Sequence, residues 1–181
     1  MAIRNGQLDL RPAILLETER LVLAQLADRD ADFIFGLLNE PSFLRYIGDR
    51  GVRSTDDARR YIREGPVAGY ERYGYGLLRV VLKADDTPIG MCGVLKRDTL
   101  ADPDLGFSFL PAYWSKGYAL EAATAVMRHA RDVLRLGRIL AITTHDNSPS
   151  IRLLGKLGFR FDHMTRLGDD PTELRLFTSD P

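Results

Sequence analysis

Residues 104–130 read Asp-Leu-Gly-Phe-Ser-Phe-Leu-Pro, then Ala-Tyr-Trp-Ser-Lys-Gly-Tyr-Ala-Leu-Glu-Ala-Ala, then Thr-Ala-Val-Met-Arg-His-Ala. In the first part Leu105, Phe107 and Phe109 stand two apart, the spacing of a half-buried strand. Pro111 ends that strand, because proline cannot donate to a sheet ladder. The last part changes period. Ala119, Ala122, Ala123, Val126, Met127, Ala130, Val133 and Leu134 recur at helical spacing and form one apolar face. Between strand and helix lies a tight loop, Trp114-Ser115-Lys116-Gly117-Tyr118-Ala119. The first turn of a helix has backbone N–H groups without partners and a partial positive charge. Gly117 and Ala119 let a phosphate approach that backbone, and Lys116 adds charge. A plain strand-to-helix connection uses the same residues.

Outward from this junction the chain alternates strands and helices. Upstream, Leu21–Leu26 is a first strand, and Asp28 or Asp30 caps a helix whose apolar face is Phe33, Ile34, Leu37 and Leu38. Pro41 stops that helix. Phe43–Ile47 is a short apolar segment, and Ser54 to Asp57 caps a helix running to about Glu64, before Gly65-Pro66. Leu77–Leu82 and Ile89–Leu95 are strands, the second with glycines that signal a bulge or close backbone approach. Downstream, Gly137 closes the long helix as a left-handed cap, Arg138–Thr143 is a strand, and Asn147 or Ser148 caps a short helix with Pro149 in its first turn. That helix ends at Gly158; Phe159–Phe161 and Thr172–Thr178 are the last strands. The pattern βααββ followed by βαβαββ predicts an α/β fold: a mixed, mostly antiparallel sheet of about seven strands with helices on both faces. Residues 1–17 read as an N-terminal arm and 18–181 as one domain.

Composition narrows the function. Lys+Arg and Asp+Glu both number 25, which argues against general nucleic-acid binding. The single Cys92 forms no intrachain disulfide, and no residues have metal-ligand spacing. No apolar run approaches the ~18 residues of a membrane span. The first residues lack the apolar core of a signal peptide. The expectation is a soluble cytoplasmic protein with no metal and no membrane partner.

Three pieces of this chain, in order and spacing, resemble the GNAT family of acetyl-CoA-dependent N-acetyltransferases: Asp104-Leu105-Gly106-Phe107 through Pro111, Trp114 to Ala119 with Glu121-Ala122, and Asn147-x-x-Ser150 closed by Leu157-Gly158-Phe159. The chain is most similar to the branch that acetylates ribosomal-protein N-termini. The resemblance implies that the fourth strand splays from the fifth and admits pantetheine, bonded to backbone near Phe107 to Leu110, with Phe109 and Leu110 as contact residues. It implies a pyrophosphate on the amides of 115–120, and Asn147 holding the cofactor chain. Two positions depart from the family pattern: Trp114 replaces the usual Gln or Arg, and Ser115 replaces the usual glycine.

Acyl transfer to an amine needs a neutral amine, donors for the oxyanion and a proton for the thiolate. Ser150 is the candidate to protonate the sulfur, although helix capping also explains a serine there. Asp104 takes the amine proton, attracts a cationic substrate, or is simply a strand-end carboxylate. His145 at the end of the fifth strand is a second candidate base or an exposed loop residue. Tyr70, Tyr73 and Tyr75 line the acceptor pocket or pack a strand entrance. A peptide α-amine, with a pKa of roughly 7.7–8, is partly neutral at pH 7, whereas lysine at roughly 10.4 is not. The acceptor expected is therefore an α-amine or another primary amine of lowered pKa, with a protein N-terminus as one such acceptor. A small-molecule amine (aminoglycoside, polyamine, amino acid) and a non-catalytic acyl-CoA sensor are the alternatives. A homodimer is compatible with the sequence.

Overall fold

The computed structural model describes residues 3–4, 7–8 and 14–180 of the chain. Apart from a two-residue ladder joining Ile3–Arg4 to Gln7–Leu8, the described strands form one sheet. In chain order they are β1 (Ile14–Glu17), β2 (Leu21–Gln25), β3 (Leu77–Leu82), β4 (Pro88–Leu95), β5 (Asp104–Phe109), β6 (Ile139–Thr144), β7 (Arg160–Thr165) and β8 (Leu174–Ser179). The helices are α1 (Ala31–Leu38), α2 (Pro41–Tyr46), α3 (Thr55–Ile62), α4 (Ala68–Tyr73), α5 (Tyr118–Asp132) and α6 (Ser148–Lys156). The spatial order is β1-β2-β3-β4-β5-β6-β8-β7, and only β5–β6 is parallel.

Each face of the sheet has its own core. Ala122, Ala123, Val126 and Ala130 of α5 and Leu154 of α6 pack with Leu105 and Phe109 of β5. Ile34, Leu37 and Leu38 of α1, Phe43 of α2, and Ala58 and Ile62 of α3 pack around Met91 of β4. Helices therefore cover both faces, as the alternation of apolar periods predicts.

Four local readings change. Residues 14–17 are not an arm but an edge strand, paired antiparallel with β2 through Leu16↔Leu23 and Glu17↔Val22. Phe43–Ile47 begins as helix, with Pro41 at its first position, where a missing N–H costs nothing. The helix expected to stop before Gly65-Pro66 continues. A π turn over Arg63–Val67 lets Ala68 N–H reach back to Arg63 O, so the proline fits and α4 follows, ending at Gly74 with φ 79°. Finally, α5 ends without Gly137. Arg135 takes the left-handed conformation (φ 55°), and Leu136 N–H bonds to Ala130 O at 2.9 Å.

The glycines of β4 do mark close approach. A Cβ at Gly93 would lie 2.2 Å from Gly76 O, and one at Gly90 would lie 2.4 Å from Ser108 O. The ladder between β3 and β4 slips at Val80/Val81, beside Gly90.

Candidate active site

The parallel ladder between β5 and β6 contains one register pair, Asp104↔Leu140. Beyond it the strands diverge. Leu110 N–H bonds to Ile89 O at 2.9 Å, and Leu140 N–H bonds to Pro103 O at 2.8 Å. Backbone groups alternate sides along a strand. Hence residues 104, 106, 108 and 110 address β4, whereas Phe107 and Phe109 present their main-chain groups to the gap. The same alternation turns Ile142 of β6 toward the gap. This corrects one expected contact: the Leu110 amide is committed to β4. The Phe109 carbonyl is also engaged, by Trp114 Nε1–H at 2.7 Å. Trp114 thus closes one gap-facing acceptor and leaves Phe107 as the open main-chain edge.

The loop from Trp114 to Tyr118 turns through two left-handed residues, Ser115 (φ 60°) and Gly117 (φ 83°). A glycine suits the first position because L side chains resist that conformation. The first intrahelical bond of α5 is Glu121 N–H to Gly117 O at 3.0 Å. The N–H groups of Tyr118, Ala119 and Leu120 precede it and have no helical acceptor. Arg20 fixes the loop from behind. Its Nη1 donates to Lys116 O at 3.1 Å, its Nε to Glu121 Oε2 at 2.7 Å, and its guanidinium lies 4.4 Å over the Tyr118 ring. Thr18 Oγ1 and Arg20 N–H complete the ring of donors on Glu121 Oε1, at 2.6 and 2.9 Å. The C=O and N–H of one trans peptide point in opposite directions. Holding Lys116 O on Arg20 therefore aims Gly117 N–H away from Arg20. The Lys116 ammonium, expected to face a phosphate, lies 5.4 Å over the Tyr113 ring.

A cleft of about 440 Å³ is lined by this loop and α5 (Trp114, Ser115, Gly117, Tyr118, Ala119, Leu120), by Phe107 to Phe109, and by α6. Neither Leu110 nor Lys116 lines it. A second cleft of about 670 Å³ opens on the other side, walled by α2, the turn before α4, Tyr73, Tyr75 and the N-terminal half of β5. The two meet at Phe107, Ser108, Asn147 and Ser150, and both reach Phe43, Tyr46 and Ile47 of the α2 segment.

At that meeting point the capping question resolves. The cap of α6 is Asn147, whose Oδ1 accepts from Ser150 N–H at 3.3 Å. The Ser150 hydroxyl bonds to no protein group among the described residues and faces both clefts. Asn147 uses its oxygen locally and keeps its Nδ2 donors for the cleft.

Asp104 sits deeper, 1 % exposed, with both carboxylate oxygens accepting from Arg97 Nε at 3.1 and 3.0 Å. Burial pushes its pKa up, opposed by the Arg97 and Lys96 charges. A carboxylate already compensated in this way is poorly suited to attract a second cation. Arg97 carries no motif; only the fold of the 96–103 loop brings it to Asp104. His145 is exposed and lines neither cleft. Tyr70 also leaves the cleft. Its hydroxyl donates to Leu77 O and accepts from Leu26 N–H, tying α4 to the sheet. Cys92 is fully buried, and desolvation pushes its thiol far up. No group of three His, Cys, Asp or Glu among the described residues is placed to hold a metal, and no helix is long and apolar enough to cross a membrane.

The gap, the helix-end amides and the cleft between them have the shape and polarity to take an extended thioester carrying a diphosphate, and known proteins share the fold that builds them. The chain is 31 % identical over 154 residues to the N-acetyltransferase YoaA of Bacillus subtilis, covering 84 % of this chain and 86 % of that protein. The fold matches the ribosomal-protein-S5-alanine acetyltransferase of Vibrio fischeri with a TM-score of 0.74 at 16 % identity, covering 91 % of this chain and 95 % of that one. It also matches the microcin C7 self-immunity acetyltransferase, solved with acetyl-CoA and AMP, with a TM-score of 0.74 at 14 % identity, covering 91 % and 94 % of the two chains. The model of the acetyltransferase (GNAT) domain matches residues 20–160. The chain belongs to the GNAT family of N-acetyltransferases.

Proposed function

We propose that this acetyltransferase acts on a peptide N-terminal α-amine by direct attack in a ternary complex. The observation that carries the reading is the pair of clefts that meet at Phe107, Ser108, Asn147 and Ser150, under Phe43, Tyr46 and Ile47 of the α2 segment. One side suits an acyl-CoA, the other admits an acceptor, and a reacting carbonyl at the junction is reachable from both. A covalent intermediate is not needed, and Cys92 lines neither cleft.

Each residue has one job in this reading. The gap-facing backbone of Phe107 and the Nδ2 group of Asn147 hold the pantetheine arm. The amides of Gly117 to Leu120 take the diphosphate, aided by the α5 dipole. As the C–S bond breaks, Ser150 Oγ–H donates its proton to the leaving sulfur and regains one from cleft water. The amine attacks in its neutral form, and the proton lost on forming the amide passes to water. Asp104 acts through Arg97, as its buried counter-charge, rather than as an open base.

The test is a CoA-release assay with acetyl-CoA against peptides, lysine side chains, polyamines, amino acids and aminoglycosides. Peptides with a free N-terminus are expected to give the highest kcat/KM, and N-terminally blocked lysine peptides the lowest. Preference for lysine side chains or for a small amine would overturn the acceptor assignment. Cofactor binding without release for any amine would instead favour an acyl-CoA sensor.

A further inference from the structure

The larger cleft contains several cations, most of which are already spent. Arg45 pairs with Asp146 at 3.1 Å. Lys96 donates to the carbonyls of Arg97, Leu100 and Ala101. Arg72 lies 5.2 Å over the Tyr73 ring. Arg97 is different. It engages Asp104 through Nε alone, and the four N–H groups on Nη1 and Nη2 have no protein acceptor among the described residues. Its side chain is 25 % exposed and lines the cleft wall. Asp104 locks the guanidinium in orientation while leaving the end that forks onto a carboxylate open. Arg50 adds an exposed charge on the same cleft; it forms no ion pair among the described residues, and its field reaches Asp170. Among the acidic lining residues, Asp104 is consumed and Asp170 accepts from Thr172 N–H at 2.8 Å. Glu64 and Asp98 are exposed, where water and salt weaken their fields relative to a half-buried group.

We propose that Arg97 is an anion anchor of the acceptor cleft and that the acceptor is a peptide whose second or third residue is acidic. This rests on the acetyltransferase reading of the cleft. The spacing follows from the strand. Asp104 lies three residues along β5 from Phe107 at the junction, ~10 Å at ~3.3 Å per residue. An extended peptide advances by at most ~3.3–3.6 Å per residue. An acidic side chain one or two residues in spans that separation; the α-carboxylate of a free amino acid, two bonds from its amine, does not.

The test compares peptides identical except for Glu, Gln or Lys at the second position, with saturating acetyl-CoA and CoA release as the readout. The Glu peptide is expected to exceed the Gln peptide in kcat/KM by about tenfold. The ratio should shrink when salt rises from about 0.1 M to about 1 M, which shortens the screening length from ~10 Å to ~3 Å. The paired change Arg97→Gln with Asp104→Asn removes both charges without stranding either, and should bring the ratio to about one. If that variant does not fold by circular dichroism, Arg97→Lys, which keeps the charge and loses the fork, should reduce the ratio severalfold. Equal turnover of Glu and Gln peptides, or a Lys preference, overturns the anchor and leaves the acetyltransferase reading standing. A ratio that survives in the folded paired variant overturns the role of Arg97. Faster turnover of free amino acids overturns the spacing. No turnover of any amine overturns both readings together.

Discussion

Arg20 Nε lies 2.7 Å from Glu121 Oε2, across 101 residues of chain. The contact joins the turn between β1 and β2 to the first turn of α5, and the same guanidinium grips Lys116 O. Arg20 therefore fixes the peptide planes of the Trp114–Tyr118 loop, proposed above to take the diphosphate, without needing to touch a ligand. Arg20→Gln should raise the Kd for acetyl-CoA by about five- to tenfold, from the loss of ~1 kcal/mol of loop order in a partly exposed pair. Calorimetry with S-acetylpantetheine, which lacks the diphosphate, should show no such change. An equal loss for both ligands would mean that Arg20 acts on the whole fold.

Ser150→Ala separates chemistry from binding. The α6 cap is Asn147 Oδ1, so removing the serine hydroxyl should leave the Tm within ~1–2 °C. In steady-state kinetics kcat should fall about 10- to 100-fold, with the KM for acetyl-CoA changed less than about threefold. Asn147→Ala should behave differently, costing ~1 kcal/mol of stability through the lost cap and weakening cofactor binding as well.

Ser115 at φ 60° gives a prediction with the opposite sign. The left-handed region costs a non-glycine residue roughly 1–2 kcal/mol, and added unfolded-state freedom returns roughly 0.4–1 kcal/mol of that. Ser115→Gly should raise the Tm by ~1–3 °C while retaining acetyl-CoA binding. Gly117→Ala should lower both. It meets the same strain at φ 83°, and its Cβ would come within 3.3 Å of Arg20 Nη2.

Acid should weaken the fold over a defined window. The Arg63 hydrogen bond holds Asp28 low, the Arg53 hydrogen bond takes Asp49 to about 2, the Ser54 hydroxyl lowers Asp57, and Thr172 lowers Asp170. Groups with a depressed folded pKa stabilise fully above their unfolded value, near 4, and lose that contribution as pH falls through the folded value. Asp104 runs the other way: burial raises its pKa, so protonating it relieves a cost. Urea unfolding should show stability falling progressively from about pH 4 toward pH 2. A rise in stability over that range would overturn the role of the surface pairs, because Asp104, with its folded pKa raised, exerts its opposite effect above about pH 4.

How much of this was legible in the chain depends on distance along it. The switch from alternation at Leu105-Phe107-Phe109 to helical spacing from Ala119 locates the β5–α5 junction, because both periods are local. The Asn147 cap and Pro149 likewise mark α6. Edge strand β1 has no such mark, since four residues at a sheet margin carry too little pattern. Helix α4 was hidden by Pro66, which reads as a stop unless a π turn absorbs it. Arg97 and Arg20 had no signature, because what each does is set by a partner: Asp104 across a folded-back loop, and Glu121 about a hundred residues away. Lys116 shows its charge in the sequence, whereas its neighbour Tyr113 is supplied only by the folded loop.

The lone Asp104↔Leu140 rung has a mechanical consequence. With so little main-chain stitching at its midline, the molecule is two slabs: β1 to β5 on one side, and β6, β8 and β7 on the other. An acyl-CoA lying between Phe107 and Ile142 would serve as the absent thread of that seam. Amide exchange in β6 and α6 should accordingly slow when acetyl-CoA is added, further from the binding loop than direct contact would reach. Donor binding would then stiffen the wall against which the acceptor must align, giving an order of addition, acetyl-CoA before amine, that arises from the sheet itself.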